Sequence, residues 1–240
     1  MNVPSAQTAA PSRRKDAEAS GPADTAESAV RGRIMGAALR AFAERGFHGT
    51  SVPEIAKAAR VGVGSIYRHF DSKERLVNAV FRDAKTRLRD ALLLDFDLSG
   101  TPRALFSDVW ARLVRFQRAE PLSFQFLEMQ DHVPYLDGES RAVEASVLAP
   151  LLSAATSAAR LPPASAGVLM AVVWGAFVSL TKAERLGYLA LDDDTLAHAR
   201  DLCFASVELA LRGQATDDRA IGADKTTTKA RTKKRKKKGH

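Results

Sequence analysis

Apolar residues return every three or four positions along most of this chain. Val30, Ile34, Ala38, Ala41 and Phe42 share one helical face, with Arg31, Arg33, Arg40 and Glu44 set between them. Gly46 is a natural stop for that helix. Ser51 is placed to cap a short second helix, and Pro53 fits its first turn, where a missing N–H costs little. Val52, Ile55, Ala56 and Ala59 form the inner face of that helix. A third helix is predicted from Gly62 to Phe70. Asp71 or Ser72 then caps a long fourth, with Glu74 near its positive end. Further helices are predicted over 102–119, 121–131, 139–159, 163–186 and 193–211, punctuated by Pro102, Pro121, Pro162 and Pro163. The run Asp192, Asp193 and Asp194 caps the last of them. No convincing period-two alternation occurs, so the expected class is all-α: an N-terminal three-helix unit with a helix-turn-helix, then a larger helical domain.

The two ends lack this pattern. Residues 1–27 contain no Ile, Leu, Phe or Trp, and residues 213–240 run into Lys233-Lys234-Arg235-Lys236-Lys237-Lys238. Such segments bury too little apolar surface to offset the entropy of ordering them. The expected organisation is a disordered segment over 1–27, a smaller helical domain over 28–88, a larger helical domain over 89–212, and a disordered basic tail over 213–240.

Charge sharpens the picture. The 240 residues carry a net charge of +8, and it is unevenly placed: 28–76 hold nine basic and four acidic residues, and 213–240 hold ten basic and three acidic. The stretch between them, 77–212, is mildly acidic, with fourteen basic and seventeen acidic residues. A basic block on such a body suggests a polyanionic partner, most simply nucleic acid. Cys203 is the one cysteine, which rules out an intramolecular disulfide and leaves no cysteine-based zinc site. No charged start leads into an apolar stretch, so a secretory signal is not expected and the protein reads as cytoplasmic.

The block over 51–70 holds the candidate chemistry. Two short helices joined by a tight turn make a helix-turn-helix, whose second helix can enter the DNA major groove. Gly62 and Gly64 leave the start of that helix open, so its backbone N–H groups can approach phosphate. Val63 and Ser65 are small enough for base-edge contact. Tyr67, Arg68 and His69 form a polar run ending at the anchor Phe70, and Lys73 lies in the first turn of the next helix, within reach of a phosphate. Ser51 and Arg60, at the two ends of the preceding helix, complete the set expected to face double-stranded DNA.

At these residues the chain resembles the TetR family of transcriptional regulators. The stretch from Gly46 to Ala59 is similar to the first half of that family's DNA-binding domain, and the run from Gly64 to Leu76, with Ile66-Tyr67-Arg68-His69-Phe70-Asp71-Ser72-Lys73-Glu74-Arg75-Leu76, is similar to the second. The resemblance implies that Tyr67, His69 and Lys73 hold phosphates, while Val63, Ser65 and Arg68 lie near bases. Two positions depart from the family pattern: Arg60 stands where the turn usually has Gly, and Gly62 where it has Ser or Thr. Arg60 must then adopt the left-handed conformation, at a cost of ~1 kcal/mol relative to Gly.

The larger domain suggests dimerisation and a pocket. Residues 161–181 carry no charge, long enough to raise a transmembrane reading, but Pro162, Pro163, Ser165 and Gly167 dilute the run and a buried helix is expected instead. Gly167, Ala171, Gly175 and Ser179 make a strip of small side chains. In the last helix Leu196, Ala199, Leu202, Cys203, Ser206 and Leu209 make a second stripe. Paired across a two-fold axis, the two helices would form a four-helix interface, the arrangement the family resemblance implies; the alternative is that both stripes are ordinary intrachain core. Seven of the sixteen aromatic residues fall between 96 and 135. Phe96, Trp110, Phe126, Met129, His132 and Trp174 are the candidate lining for a small apolar or aromatic ligand.

No Gly-rich phosphate loop and no His-Glu-x-x-His pattern occurs, and His48, His69, His132, His198 and His240 are scattered. No cofactor, metal or enzymatic activity is expected. The function expected is that of a homodimeric, sequence-specific DNA-binding regulator, a repressor released by a small molecule. Two alternatives remain open: a non-sequence-specific DNA-binding protein driven by its basic tail, and a helical ligand-binding or enzymatic domain with a vestigial DNA-binding part.

Overall fold

The structure, a computed structural model, describes residues 22–97, 99–158 and 163–209. Helix α1 runs over Pro22–Arg45, α2 over Val52–Ala59, α3 over Val63–His69 and α4 over Lys73–Leu93. Then come α5 (Pro102–Ala119), α6 (Pro121–Glu128), a 3₁₀ turn (Val133–Tyr135), α7 (Gly138–Ala158) and α8 (Pro163–Arg185). The last helix, α9, occupies 193–209. No strand occurs among the described residues.

The boundaries have local causes. Gly46 ends α1 at φ +71°, with its N–H donating to the Phe42 carbonyl at 2.9 Å. Ser72 is the cap chosen for α4: its hydroxyl accepts from the Arg75 N–H at 3.2 Å. Thr101 caps α5 ahead of Pro102, and Asp192 caps α9 by accepting from the Thr195 N–H at 2.8 Å.

One expectation shifts. α1 begins at Pro22, so residues 22–27, expected to be disordered, are helical. A proline suits a first helical position, where its missing N–H costs little. Residues 1–21 and the basic tail lie outside the described residues.

One continuous core runs through the molecule. Ile34, Phe42, Ile55, Ile66, Leu76 and Phe81 fill the N-terminal unit, and Trp110, Phe124, Phe126 and Phe177 extend the same cluster through the larger domain to Ala199 and Cys203. α4 is the shared element, packing on α1, α5, α6 and α7, while α1 also packs on α6. The DNA-binding candidates and the regulatory helices therefore meet across a packed boundary.

Candidate nucleic-acid interface

The first helix of the pair is set by a capping box. The Ser51 hydroxyl accepts from the Glu54 N–H at 3.4 Å, and the Glu54 carboxylate accepts in return from the Ser51 N–H at 2.9 Å. That Ser51 N–H, with the Ser51 hydroxyl donating to the same carboxylate at 2.8 Å, holds the Glu54 carboxyl below its ordinary pKa. Val52, Ile55, Ala56 and Ala59 turn inward as their spacing predicts. Arg60 adopts the left-handed conformation, φ 56° and ψ 48°, with its N–H bonded to the Lys57 carbonyl at 3.2 Å. The turn thus closes without the family's usual glycine.

α3 buries only Ile66 along its length, and Phe70 just beyond it anchors the end of the helix in the core. Gly62, Val63, Gly64, Tyr67 and Arg68 are exposed together, Val63 at 39% and Tyr67 at 50%, while Ser65 is half-buried. A β-carbon at Gly62 or Gly64 would meet nothing within 4 Å, so the approach to the start of α3 is open. Lys57 and Arg60 are exposed at the end of α2 and add positive charge beside this face. Lys57 was not among the expected residues; its signal is a basic side chain on the outward side of the positioning helix.

Two expected phosphate contacts are turned inward. His69 has a side chain only 5% exposed; its Nδ1 lies 3.9 Å from the Glu27 carboxylate, and its Nε2 is buried with no hydrogen-bond partner among the described residues. Arg31 stands over the neighbouring Phe70 ring at 5.3 Å, so the extended start of α1 braces the end of α3. Lys73 directs its ammonium into the corner between α1 and α2, donating to the carbonyls of Phe47 at 2.7 Å and Thr50 at 2.9 Å. The corner is tied from within as well: the Thr50 hydroxyl donates to the carbonyls of Ala41 and Gly46 at 3.0 and 2.8 Å.

The larger domain reaches the same corner. The Phe47 N–H donates to Asp131 Oδ2, the Phe47 ring stacks on Tyr135 at 4.2 Å, and Gln125 donates to the Ala43 carbonyl at 2.7 Å. Asn78 of α4 secures the Tyr135 segment, donating to the Tyr135 carbonyl at 2.8 Å and accepting from the Asp137 N–H at 2.9 Å.

None of the six expected pocket residues lines the cleft that opens in the larger domain. Phe126 stacks on His132 at 4.6 Å, deep in the core below α1; Trp110 and Trp174 join a ring cluster through Phe177 and Phe124; Phe96 lies under Arg112; and Met129 approaches Gly46. A cleft of about 170 Å³ opens instead between α5, α8 and the start of α9, with Val114, Phe177 and Leu196 as apolar walls and Gln117, Arg118 and Glu184 as polar ones. Aromatic residues clustered in sequence pack against each other here.

α8 differs from the buried helix expected. Only Ala166, Phe177 and Thr181 along it are buried, while Gly167, Ala171, Gly175 and Ser179 lie exposed beside Val168 and Val172. Over Ala164–Arg185 the helix is long and apolar enough to cross a membrane by length and composition. The α9 stripe divides. Leu196, Ala199 and Cys203 are buried within the chain, the Ser206 hydroxyl bonds to the Cys203 carbonyl, and Leu202 and Leu209 point outward. A period of 3–4 residues marks a helical face but does not say which chain covers it.

Residues 34–80 match the family model of bacterial regulatory proteins, tetR family, and residues 81–209 match that of the tetracyclin repressor-like C-terminal domain. The chain belongs to the tetR family. Among curated relatives of this family, it is 38% identical over 90 residues to the HTH-type transcriptional repressor KstR2 of Rhodococcus jostii, covering 35% of this chain and 44% of that protein. It is 41% identical over 81 residues to the HTH-type transcriptional repressor Rv3405c of Mycobacterium tuberculosis, covering 34% and 43%. The match thus spans less than half the length of these relatives. The fold is that of a TetR family transcription regulator from Marinobacter aquaeolei, with TM-score 0.66, 24% identity and coverage of 76% of this chain and 97% of that one. A TetR-like regulator from Rhodococcus sp. RHA1 aligns with TM-score 0.58 at 22% identity over 78% and 96%. The tetR family is one of transcriptional regulators rather than enzymes.

Proposed function

We propose that this protein is a homodimeric, sequence-specific DNA-binding repressor, acting in the cytoplasm and released from its operator by a small molecule. The observation that carries the reading is the exposed face of α3. Val63, Tyr67 and Arg68 stand clear of the core on a helix whose two ends are fixed, by Arg60 in the turn and by His69 and Phe70 at the far end. Such a helix offers side chains to base edges in a defined pose, and the basic balance of 28–76 supplies the attraction to phosphates.

The uncovered face of α8, with Leu202 and Leu209 of α9, supports a second copy of the chain as partner. A two-fold pairing would place two α3 helices on successive major grooves, ~34 Å apart. The cleft beside Arg118 supports a small effector, with an apolar wall for its body and polar groups at the rim. Release then requires that the effector bind the two dimer geometries with different affinity. The deciding experiment is selection of bound fragments from genomic DNA by the purified full chain. A palindromic motif supports the reading. Equal retention of all fragments would make the protein a non-specific binder instead, and no retention would leave only the ligand-binding alternative.

A further inference from the structure

Asp131 lies in the segment between α6 and the 3₁₀ turn, in the regulatory part of the chain, yet one of its carboxylate oxygens bonds to the backbone of the DNA-binding part. Oδ2 accepts the N–H of Phe47, a residue 84 positions earlier. The approach depends on Gly46: a β-carbon there would collide with Oδ2, and the left-handed φ of +71° adds a second reason for glycine. Oδ1 stands 3.9 Å from Nδ1 of His132, a ring 1% exposed and held between Phe126 at 4.6 Å and Phe81 at 5.4 Å. The carboxylate thus has one oxygen on the corner between α1 and α2, which leads into the helix-turn-helix, and the other beside the core of the regulatory helices.

Phe47 cannot move alone. Its carbonyl holds Lys73, its ring stacks on Tyr135, and the corner it begins leads within a few residues into Ser51 and α2. The Asp131 segment is itself fastened to α4 through Asn78 and the Tyr135 carbonyl. A displacement of the segment after α6 therefore reaches the corner by a directed hydrogen bond, in addition to the apolar packing of α1 on α6.

We propose that Asp131 is a positioning residue for DNA binding: by accepting the Phe47 N–H, it fixes the corner between α1 and α2 so that α3 is held in its operator-binding pose. The proposal rests on the reading of the protein as an operator-binding regulator, and it assigns to one carboxylate the contact through which the regulatory part steadies the DNA-binding part. It requires an acceptor oxygen at residue 131, and Asn supplies one where Ala does not.

The test compares full-length wild type, Asp131→Asn and Asp131→Ala in operator affinity at several salt concentrations, with circular dichroism and thermal melting to establish the folded fraction. Asp131→Ala should bind the selected operator on the order of tenfold more weakly per folded dimer, the effect of losing ~1.4 kcal/mol. Its salt slope should not change, because Asp131 touches no phosphate. Asp131→Asn should restore most of the affinity. Gly46→Ala, which pushes the carboxylate off the corner, should reproduce the loss and serves if Asp131→Ala fails to fold. Wild-type affinity per folded dimer in Asp131→Ala would overturn the proposal, and so would equal failure of Asp131→Asn. If wild type selected no DNA site, the operator-binding reading would fail first, a distinct result.

Discussion

Lys73 closes over Phe47. Its Nζ donates to the Phe47 carbonyl at 2.7 Å and stands 4.1 Å from the centroid of the same residue's ring. With the second bond to Thr50, the ammonium joins the first turn of α4 to the corner between α1 and α2. Cation and ring attract because the ring face is electron-rich, and the two carbonyls replace the water the ammonium gave up.

That geometry changes what a substitution should do. A lysine on a phosphate would give Lys73→Ala a shallower salt dependence, by about 0.9 in the log–log slope. A lysine holding the corner should lower stability instead, by roughly 1.5–3 kcal/mol for hydrogen bonds from a charged donor. The expected outcome is weaker operator binding with an unchanged slope and a lower denaturation midpoint. Titrations at four salt concentrations, with urea unfolding of the same preparations, separate the two. A slope reduced by about one, at full stability, would return Lys73 to the phosphates.

Arg68 is exposed on α3, one residue before His69, whose side chain is turned inward. Replacing it by Ala should cost on the order of 1–3 kcal/mol at the operator if it pairs with a guanine edge, and should relax preference at one base position per half-site. Repeating the fragment selection with Arg68→Ala checks this. An unaltered motif would move base readout to Val63 and Tyr67.

Much of the fold was legible because helix ends are chemically marked. Ser51, Ser72, Thr101 and Asp192 each accept a backbone N–H that the helix itself cannot pair, and Pro102 and Pro121 stand where no N–H is needed. The left-handed Arg60 was implied by the family resemblance, whose pattern usually has glycine at that position. The direction of polar side chains was not legible. His69 turns inward because Glu27 reaches it from an extension of α1 that carries no apolar pattern, and Lys73 because carbonyls more than twenty residues away converge on it. Asp131 bears no local sign of its bond to Phe47, because the partner lies 84 positions earlier in the chain.

Stability should fall with acid through one identifiable group. Burial pushes the His132 imidazole down to about 4 from its ordinary 6.5, an effect that Lys85 reinforces and that Asp131 and Glu144 oppose. The unfolded chain therefore takes up this proton before the folded one. The contribution is complete above pH ~6.5 and drains away as pH falls toward 4, by about 3 kcal/mol in total. His132→Phe keeps a ring against Phe126 and removes the titration. Urea unfolding at pH 7.5, 6 and 5 should show a steeper loss in wild type than in the variant. Parallel curves would mean that the folded protein accommodates the charged ring.

The uncovered face of α8 is the expected contact between two chains. Gly175 lies in the middle of that helix, exposed, and a β-carbon on it would meet nothing within 4 Å in the single chain. A larger side chain should therefore leave the fold intact, and exchanging an interior helical glycine for leucine should favour the helix by a few tenths to ~1 kcal/mol. Against a second copy the balance reverses. A strip of Gly167, Ala171, Gly175 and Ser179 lets two helices approach closely, and a leucine in such a contact forces them apart at a typical cost of 1–3 kcal/mol, incurred twice in a symmetric pair. Gly175→Leu should accordingly be helical and stable as a chain yet largely monomeric. Sedimentation velocity across a range of concentrations, beside circular dichroism, reads both properties. Operator affinity should fall with dimerisation, since one α3 helix then binds without its mate. A folded variant that sediments as an unchanged dimer would place the two-fold interface elsewhere and leave the exposed strip without a partner.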